Sequence, residues 1–117
     1  MTATSHEALI DRSTVEELQQ AMGEEAFADI AATFYDQVSQ LMEQFAAAAQ
    51  AADLRKAGHL AHEMIGLAGT MGAPRLTDVA RQAMALCRSE QSGALPDIAE
   101  VISRTGAETL EAFRAYA

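Results

Sequence analysis

Hydrophobic residues recur every three or four positions along most of the chain, which is the spacing of one face of an α-helix. From Glu24 to about Gln50 this pattern continues without a helix-breaking residue, so it predicts one long helix. The apolar positions are Phe27, Ile30, Phe34, Val38, Leu41, Phe45 and Ala49. At about 1.5 Å per residue, this helix should be roughly 40 Å long.

A shorter amphipathic segment precedes the long helix. Ser13 and Glu16 have the spacing of a capping box, and they predict a short first helix that is interrupted at Gly23. Residues 1–12 show no sustained period, and we expect them to fray.

Helix start and stop residues divide the segment that follows the long helix. Asp53 is suited to cap the start of a third helix, and Gly72 can end it in the left-handed conformation. Pro74 can begin a fourth helix, which Ser92–Gly93 should close. The apolar positions of that fourth helix are Leu76, Val79, Ala83 and Cys87.

Pro96 predicts the start of a fifth helix, in which Gly106 is a local weakness. Its apolar positions are Ile98, Val101, Ile102, Thr105, Leu110 and Phe113. Short connections between long amphipathic helices place neighbouring helices antiparallel. The predicted fold is all-α, an antiparallel up-down four-helix bundle with a short N-terminal helix over one end.

Composition agrees with this fold and bounds its size. A chain of 117 residues, 50% of them hydrophobic, can bury one core, so we expect residues 1–117 to form a single domain. Aromatic residues make up only 5%, which favours helix over sheet. A closed bundle with a polar exterior needs no second copy to bury its core, so we expect a monomer.

Charge and cysteine content narrow the partners and the compartment. The net charge of -9 argues against sequence-independent binding to nucleic acid or to an anionic membrane surface. No run approaches the roughly 18 apolar residues that span a bilayer. The one cysteine, Cys87, cannot form an internal disulfide, and the N-terminus lacks a basic start followed by a long apolar run. We expect a cytoplasmic protein with Cys87 in its core.

The third helix has two distinct faces when its residues are placed at about 100° intervals. An apolar seam lies within roughly 40° of the side opposite His62. This seam consists of Leu60, Met64, Leu67 and Met71, flanked by Ala57, Ala61 and Ala68. His62 is therefore predicted to point to solvent.

Three glycines lie on the same predicted face as His62, namely Gly58, Gly66 and Gly69. Each glycine inside a helix costs roughly 1 kcal/mol relative to alanine, so three beside one histidine need a reason. Close approach of a neighbouring helix is one alternative, but it would place glycine on the buried face. We interpret the glycines as leaving open space, so that another protein's active site can close over the imidazole.

An exposed, unobstructed imidazole suits phosphoryl acceptance. Neutral imidazole is a good nucleophile near pH 7 and needs no buried base to activate it. Phosphoryl transfer depends mainly on alignment and on electrostatic stabilisation of the phosphoryl oxygens, and a partner protein can supply most of both. The chain therefore does not need a complete active site of its own.

The segment Ala61–Gly66, followed by Gly72 and Leu76, resembles the motif of histidine phosphotransfer domains. That motif has an apolar residue two positions after the histidine, glycines four and ten positions after it, and a leucine fourteen positions after it. The resemblance extends to Phe34 and to Asp53–Leu54, and covers nearly the whole chain from about residue 14.

This resemblance implies that His62 accepts a phosphoryl group from the aspartyl phosphate of a receiver domain, or from a kinase, and passes it to another receiver. It implies that Gly66 gives the receiver access. The implied partners are response-regulator receiver domains and a sensor histidine kinase. The resemblance also implies that this chain is a phosphocarrier without an ATP site or kinase activity of its own. It implies no cofactor of its own, since the receiver supplies Mg²⁺.

One position departs from the family pattern, because the family usually has lysine three residues after the histidine and this chain has Ile65. Ile65 lies about 60° from His62 on the wheel, so we expect it to be at least partly exposed. It either docks against the apolar rim of a receiver or packs as peripheral core. His59 and Arg55, one and two turns before His62, are candidates for stabilising the phosphoryl group, and solvated surface residues are the alternative.

Three other functions are compatible with parts of this pattern. Kinase dimerisation helices also carry a histidine followed by glutamate, but they usually continue with Asn or Thr and then Pro, where this chain has Gly66–Leu67. A metal-binding bundle could use His59 and His62 beside Glu63, although His62 is predicted to point outward. A helical bundle that only binds other proteins is the third alternative.

Overall fold

The computed structural model describes residues 8–116, and within them the chain is helical almost throughout. The described part contains five α-helices and one short 3₁₀ turn at Ser92–Ala94. The α-helices are α1 (Arg12–Met22), α2 (Glu24–Gln50), α3 (Leu54–Met71), α4 (Pro74–Arg88) and α5 (Leu95–Arg114). The predicted all-helical class is confirmed.

The described helices pack around a shared hydrophobic core. Helix α2 packs against α3 and α5, α4 also packs against α3 and α5, and α1 packs against α2. Phe113 of α5 joins the core to α2, since its ring centroid lies 5.6 Å from that of Phe27 and 5.1 Å from that of Phe34. The longest dimension of the molecule is 43 Å, close to the length expected for α2.

The ends of α3 lie where its capping residues predict. The backbone N–H of Lys56 donates to Oδ1 of Asp53 at 3.1 Å, which caps the first turn. Gly72 ends the helix in the left-handed conformation, with φ of 77° and ψ of 44°. Pro74 begins α4 two residues later, so α3 and α4 are joined by a very short connection.

The start of α1 differs from the predicted capping box. Asp11 is the N-cap, and its carboxylate accepts the backbone N–H of Thr14 at 3.5 Å. The hydroxyls of Thr14 and Ser13 donate to the same carboxylate at 3.0 and 3.1 Å. These hydrogen bonds, that of the Thr14 side chain first, lower the pKa of Asp11 below its ordinary value. Ser13 therefore lies inside the helix as a donor and is not its cap.

The segment before α1 is tied to the connection between α3 and α4. The backbone N–H of Asp11 donates to the carbonyl of Gly72 at 2.8 Å, and that of Arg75 donates to the carbonyl of Ala8 at 3.0 Å. Of residues 1–12, which we expected to fray, 1–7 lie outside the described residues. Residues 8–11 differ from that expectation because these backbone hydrogen bonds hold them.

Two details that the sequence predicted for α2 and α4 were wrong. Ile30 is 39% exposed, because α2 buries the smaller Ala31 beside it. Helix α4 ends at Arg88, before Ser92–Gly93, since Glu90 already adopts a positive φ of 55°. Gly106 is buried within α5, and a Cβ there would overlap the sulfur of Met42, so a larger residue would have to displace that flexible side chain.

Among the helices of residues 8–116, none combines the length and the apolar character needed to cross a membrane.

We expect Gly72→Ala to lower the free energy of unfolding by about 1–2 kcal/mol, because alanine is disfavoured in the left-handed region. An added Cβ would also lie 3.0 Å from two side-chain carbons of Thr14, so α1 would have to shift. Urea denaturation measures the loss. Gly93→Ala is the matched control, since Gly93 has open space and no positive φ. An equal effect of both substitutions would contradict this role of Gly72.

Candidate functional site

The structure places His62 on the exposed face of α3, opposite the seam that faces the core. The seam residues Leu60, Met64 and Met71 are buried, and Leu67 is half-buried. The flanking alanines are buried as well, at positions 57, 61 and 68. Placing the residues at 100° intervals therefore predicted correctly which face of α3 packs on the core. The opposite face presents the imidazole to solvent.

Two of the three glycines have open space around their Cβ positions on the exposed face of α3. A Cβ added to Gly66 or to Gly69 would meet no atom within 4 Å outside its own helix. Gly58 differs from the expectation, because it is half-buried and an added Cβ would lie 3.5 Å from the Cβ of Cys87. Gly58 therefore lies in the contact between α3 and α4, and the open space on the exposed face of α3 is at Gly66 and Gly69.

His62 lines an open groove of about 350 Å³ between α3 and α4, which we call the His62 groove. Its lining residues are Leu54, Arg55, Gly58, His59 and His62 from α3, and Met84, Cys87 and Arg88 from α4. Cys87 is half-buried, not fully in the core as expected, and burial raises the pKa of its thiol. The thiol therefore stays protonated and is a poor nucleophile near neutral pH.

The contribution of α4 to the His62 groove was missed by the sequence analysis. The information was present, because α3 and α4 are joined by only Gly72 and Ala73. So short a connection predicts antiparallel neighbouring helices. Residues at similar distances from this connection face each other, as Gly58 and Cys87 do. Counting outward from the connection would have placed Arg88 near the beginning of α3.

His59 and Ile65 have neighbours that limit what each can do. Nε2 of His59 lies 3.3 Å from Oε1 of Glu63 one turn later, and both side chains are well exposed. A carboxylate beside His59 disfavours a phosphoryl group there. Ile65 is half-buried and packs against the edge of the core, which agrees with the alternative that it is peripheral core. The rest of its side chain is exposed, as expected.

The metal-binding alternative gains no further ligand from the structure. Within residues 8–116, no group of three or more His, Cys, Asp or Glu side chains is arranged to hold a metal ion. His59 and His62 could thus offer an ion no third protein ligand from this region.

Comparison with known protein families identifies the class of protein. Residues 29–116, well over half of the chain, match the family model described as the Hpt domain. The chain therefore belongs to the Hpt domain family, the family that the sequence motif resembled. Hpt domains are phosphocarriers that work with response-regulator receivers and histidine kinases, and this chain is a phosphorelay intermediate of that class.

A solved structure shares the fold. The crystal structure of histidine-containing phosphotransfer protein B (HptB) from Pseudomonas aeruginosa PAO1 is similar to this chain with a TM-score of 0.86. The two sequences are 24% identical, and the similarity covers 92% of each chain. No curated protein matches the sequence.

We expect Gly66→Leu to preserve or raise the stability of the protein but to slow phosphoryl transfer. Leucine is the better helix former by about 0.8 kcal/mol, and the position is open. A receiver closing over His62 would meet the new side chain, and a clash of about 1.4 kcal/mol would slow transfer roughly tenfold. Thermal melting and a timed transfer assay measure the two effects.

Ala107→Leu, at an exposed position of α5, is the control for adding a surface leucine. It should leave transfer unchanged. Unfolding of Gly66→Leu, or transfer as fast as in the control, would contradict the role of the open space beside His62.

Proposed function

We propose that His62 is the phosphoacceptor of this chain. It takes a phosphoryl group from the aspartyl phosphate of a receiver domain, or from a sensor histidine kinase, and passes it to another receiver. The observation that carries this proposal is the exposed imidazole on α3 with open space at Gly66 and Gly69. Membership of the Hpt domain family supports it, and the sequence resemblance assigns the phosphoacceptor of that family to His62.

The transfer step needs little chemistry from this chain. The lone pair of one imidazole nitrogen attacks the phosphorus atom, a nitrogen–phosphorus bond forms, and the bond from phosphorus to the aspartyl oxygen breaks. The aspartate leaves as a carboxylate, and the proton on the other ring nitrogen can pass to solvent. The receiver supplies Mg²⁺ and the alignment of the leaving group, so this chain requires no cofactor of its own.

The residues around His62 have separate roles in this proposal. Gly66 and Gly69 give the receiver access, and Gly58 lies where α3 contacts α4. The exposed part of Ile65 docks against the apolar rim of the receiver while the rest of it packs on the core. Arg55 is the better candidate of the original two for stabilising the phosphoryl group, because His59 lies beside a carboxylate.

The proposal extends to the organisation of the protein. We infer a single domain and a monomer, because the described helices close around one core. We also infer that α2 to α5 form the antiparallel up-down four-helix bundle. The closeness of Gly58, near the start of α3, to Cys87, near the end of α4, supports this arrangement. The inferred protein works in the cytoplasm and has neither an ATP site nor kinase activity.

We expect His62→Gln to fold normally but to accept no label from a phosphorylated receiver, because an amide cannot form the phosphoramidate. The change is at an exposed position, so the free energy of unfolding should change by less than about 0.5 kcal/mol. Incubation with a receiver domain that carries radiolabelled phosphate measures the label transferred to this chain. The phosphohistidine formed on the wild-type protein should be acid-labile and base-stable.

His59→Gln is the matched control, since it removes the other imidazole of α3 and should still be labelled. Normal labelling of His62→Gln would end the proposal. Loss of label in His59→Gln alone would move the site one helical turn.

A further inference from the structure

Basic residues are concentrated on two adjacent helices of this acidic protein. Helices α3 and α4 contain five of the eight Lys and Arg residues of the chain, namely Arg55, Lys56, Arg75, Arg81 and Arg88. Their acidic residues are only Glu63 and Asp78, out of seventeen in the chain. Helix α2 has the opposite composition, with five acidic residues and no basic one. An anionic group approaching the protein is therefore attracted towards α3 and α4.

Two of these cations line the His62 groove from opposite sides. Arg55 belongs to α3 and Arg88 to α4, and both line the groove together with His62. Neither guanidinium forms an ion pair with a carboxylate of residues 8–116, and both side chains belong to exposed residues. Arg114 of α5 differs from them, because its Cζ lies over the ring of Tyr35, 5.7 Å from the ring centroid. The two groove arginines are thus free to bind an anion.

The alternative explanation for Arg88 is purely structural. It lies in the last turn of α4, where a cation interacts favourably with the helix dipole. That role accounts for a charge at this position, but it does not account for a second unpaired arginine on the facing helix. Two arginines that line the same groove as His62 match the chemistry of a phosphoryl group, whose oxygens accept several charge-assisted hydrogen bonds.

We propose that Arg88 of α4, together with Arg55 of α3, binds the phosphoryl group while it is attached to His62. This inference rests on the proposed role of His62. The pair supplies the positive charge that the family resemblance assigns to a lysine at the position of Ile65. The arginines donate hydrogen bonds to phosphoryl oxygens, and no bond or proton of theirs changes during transfer.

The test is the equilibrium distribution of the phosphoryl group between a receiver and this chain. If Arg88 stabilises phosphorylated His62, Arg88→Gln should shift this equilibrium towards the phosphorylated receiver by about threefold to tenfold. Arg55→Gln should shift it in the same direction. Arg88→Lys retains the charge and should restore most of the wild-type distribution.

Arg104→Gln is the matched control, because Arg104 is an exposed arginine on α5 and does not line the His62 groove. It should leave the equilibrium unchanged. A role of Arg88 in helix stability would lower the melting temperature without moving the equilibrium, and a role in docking alone would slow transfer equally in both directions. Either result would overturn the proposal.

The same experiment separates this inference from the function on which it rests. If wild-type His62 accepts no phosphoryl group from any receiver, the proposed function fails. If His62 is phosphorylated and Arg88→Gln has the wild-type equilibrium, only the arginine proposal is overturned.

Discussion

The apolar seam of α3 lies between α2 and α4, and this packing fixes the rotation of α3 about its axis. Rotating the helix far enough to bury His62 would bring Met64 and Ala61, both fully buried, towards water. Exposing one buried side chain of the size of methionine costs about 1.5–3 kcal/mol, so the core opposes that rotation strongly. The caps at Asp53 and Gly72 fix the two ends of the same helix. The direction of the imidazole is thus determined by residues on the opposite side of α3.

The exposed face of α3 is less stable than it could be. A Cβ added at Gly66 or Gly69 would contact no neighbouring element, and each glycine destabilises the helix by roughly 1 kcal/mol relative to alanine. Burial of the seam offsets this cost. The glycines in packed regions are present for other reasons. Gly106 lies against Met42, and Gly72 needs the left-handed conformation. Helix propensity alone cannot separate these two kinds of glycine, whereas the space around each Cβ position does.

The sequence was sufficient where one helix determines the outcome. The limits of α2, the caps of α3 and the exposure of His62 follow from local periodicity and capping chemistry, and the structure agrees with each. Prediction failed where a second element decides. The start of α1 depends on the backbone hydrogen bond from Asp11 to Gly72, and the environment of Gly58 depends on the contact with Cys87. Arg88 was missed for the same reason, since its place beside the His62 groove follows from the packing of α4 on α3.

The position of the phosphoryl group on the wild-type protein is the most direct measure of the central claim, which is that α3 presents His62 as the nucleophile. Tandem mass spectrometry of peptides, prepared without acid after incubation with a phosphorylated receiver, locates the modified residue. We predict phosphate on His62, with His59 and His6 unmodified. Phosphate on either of those histidines, or on any residue other than His62, would contradict the claim.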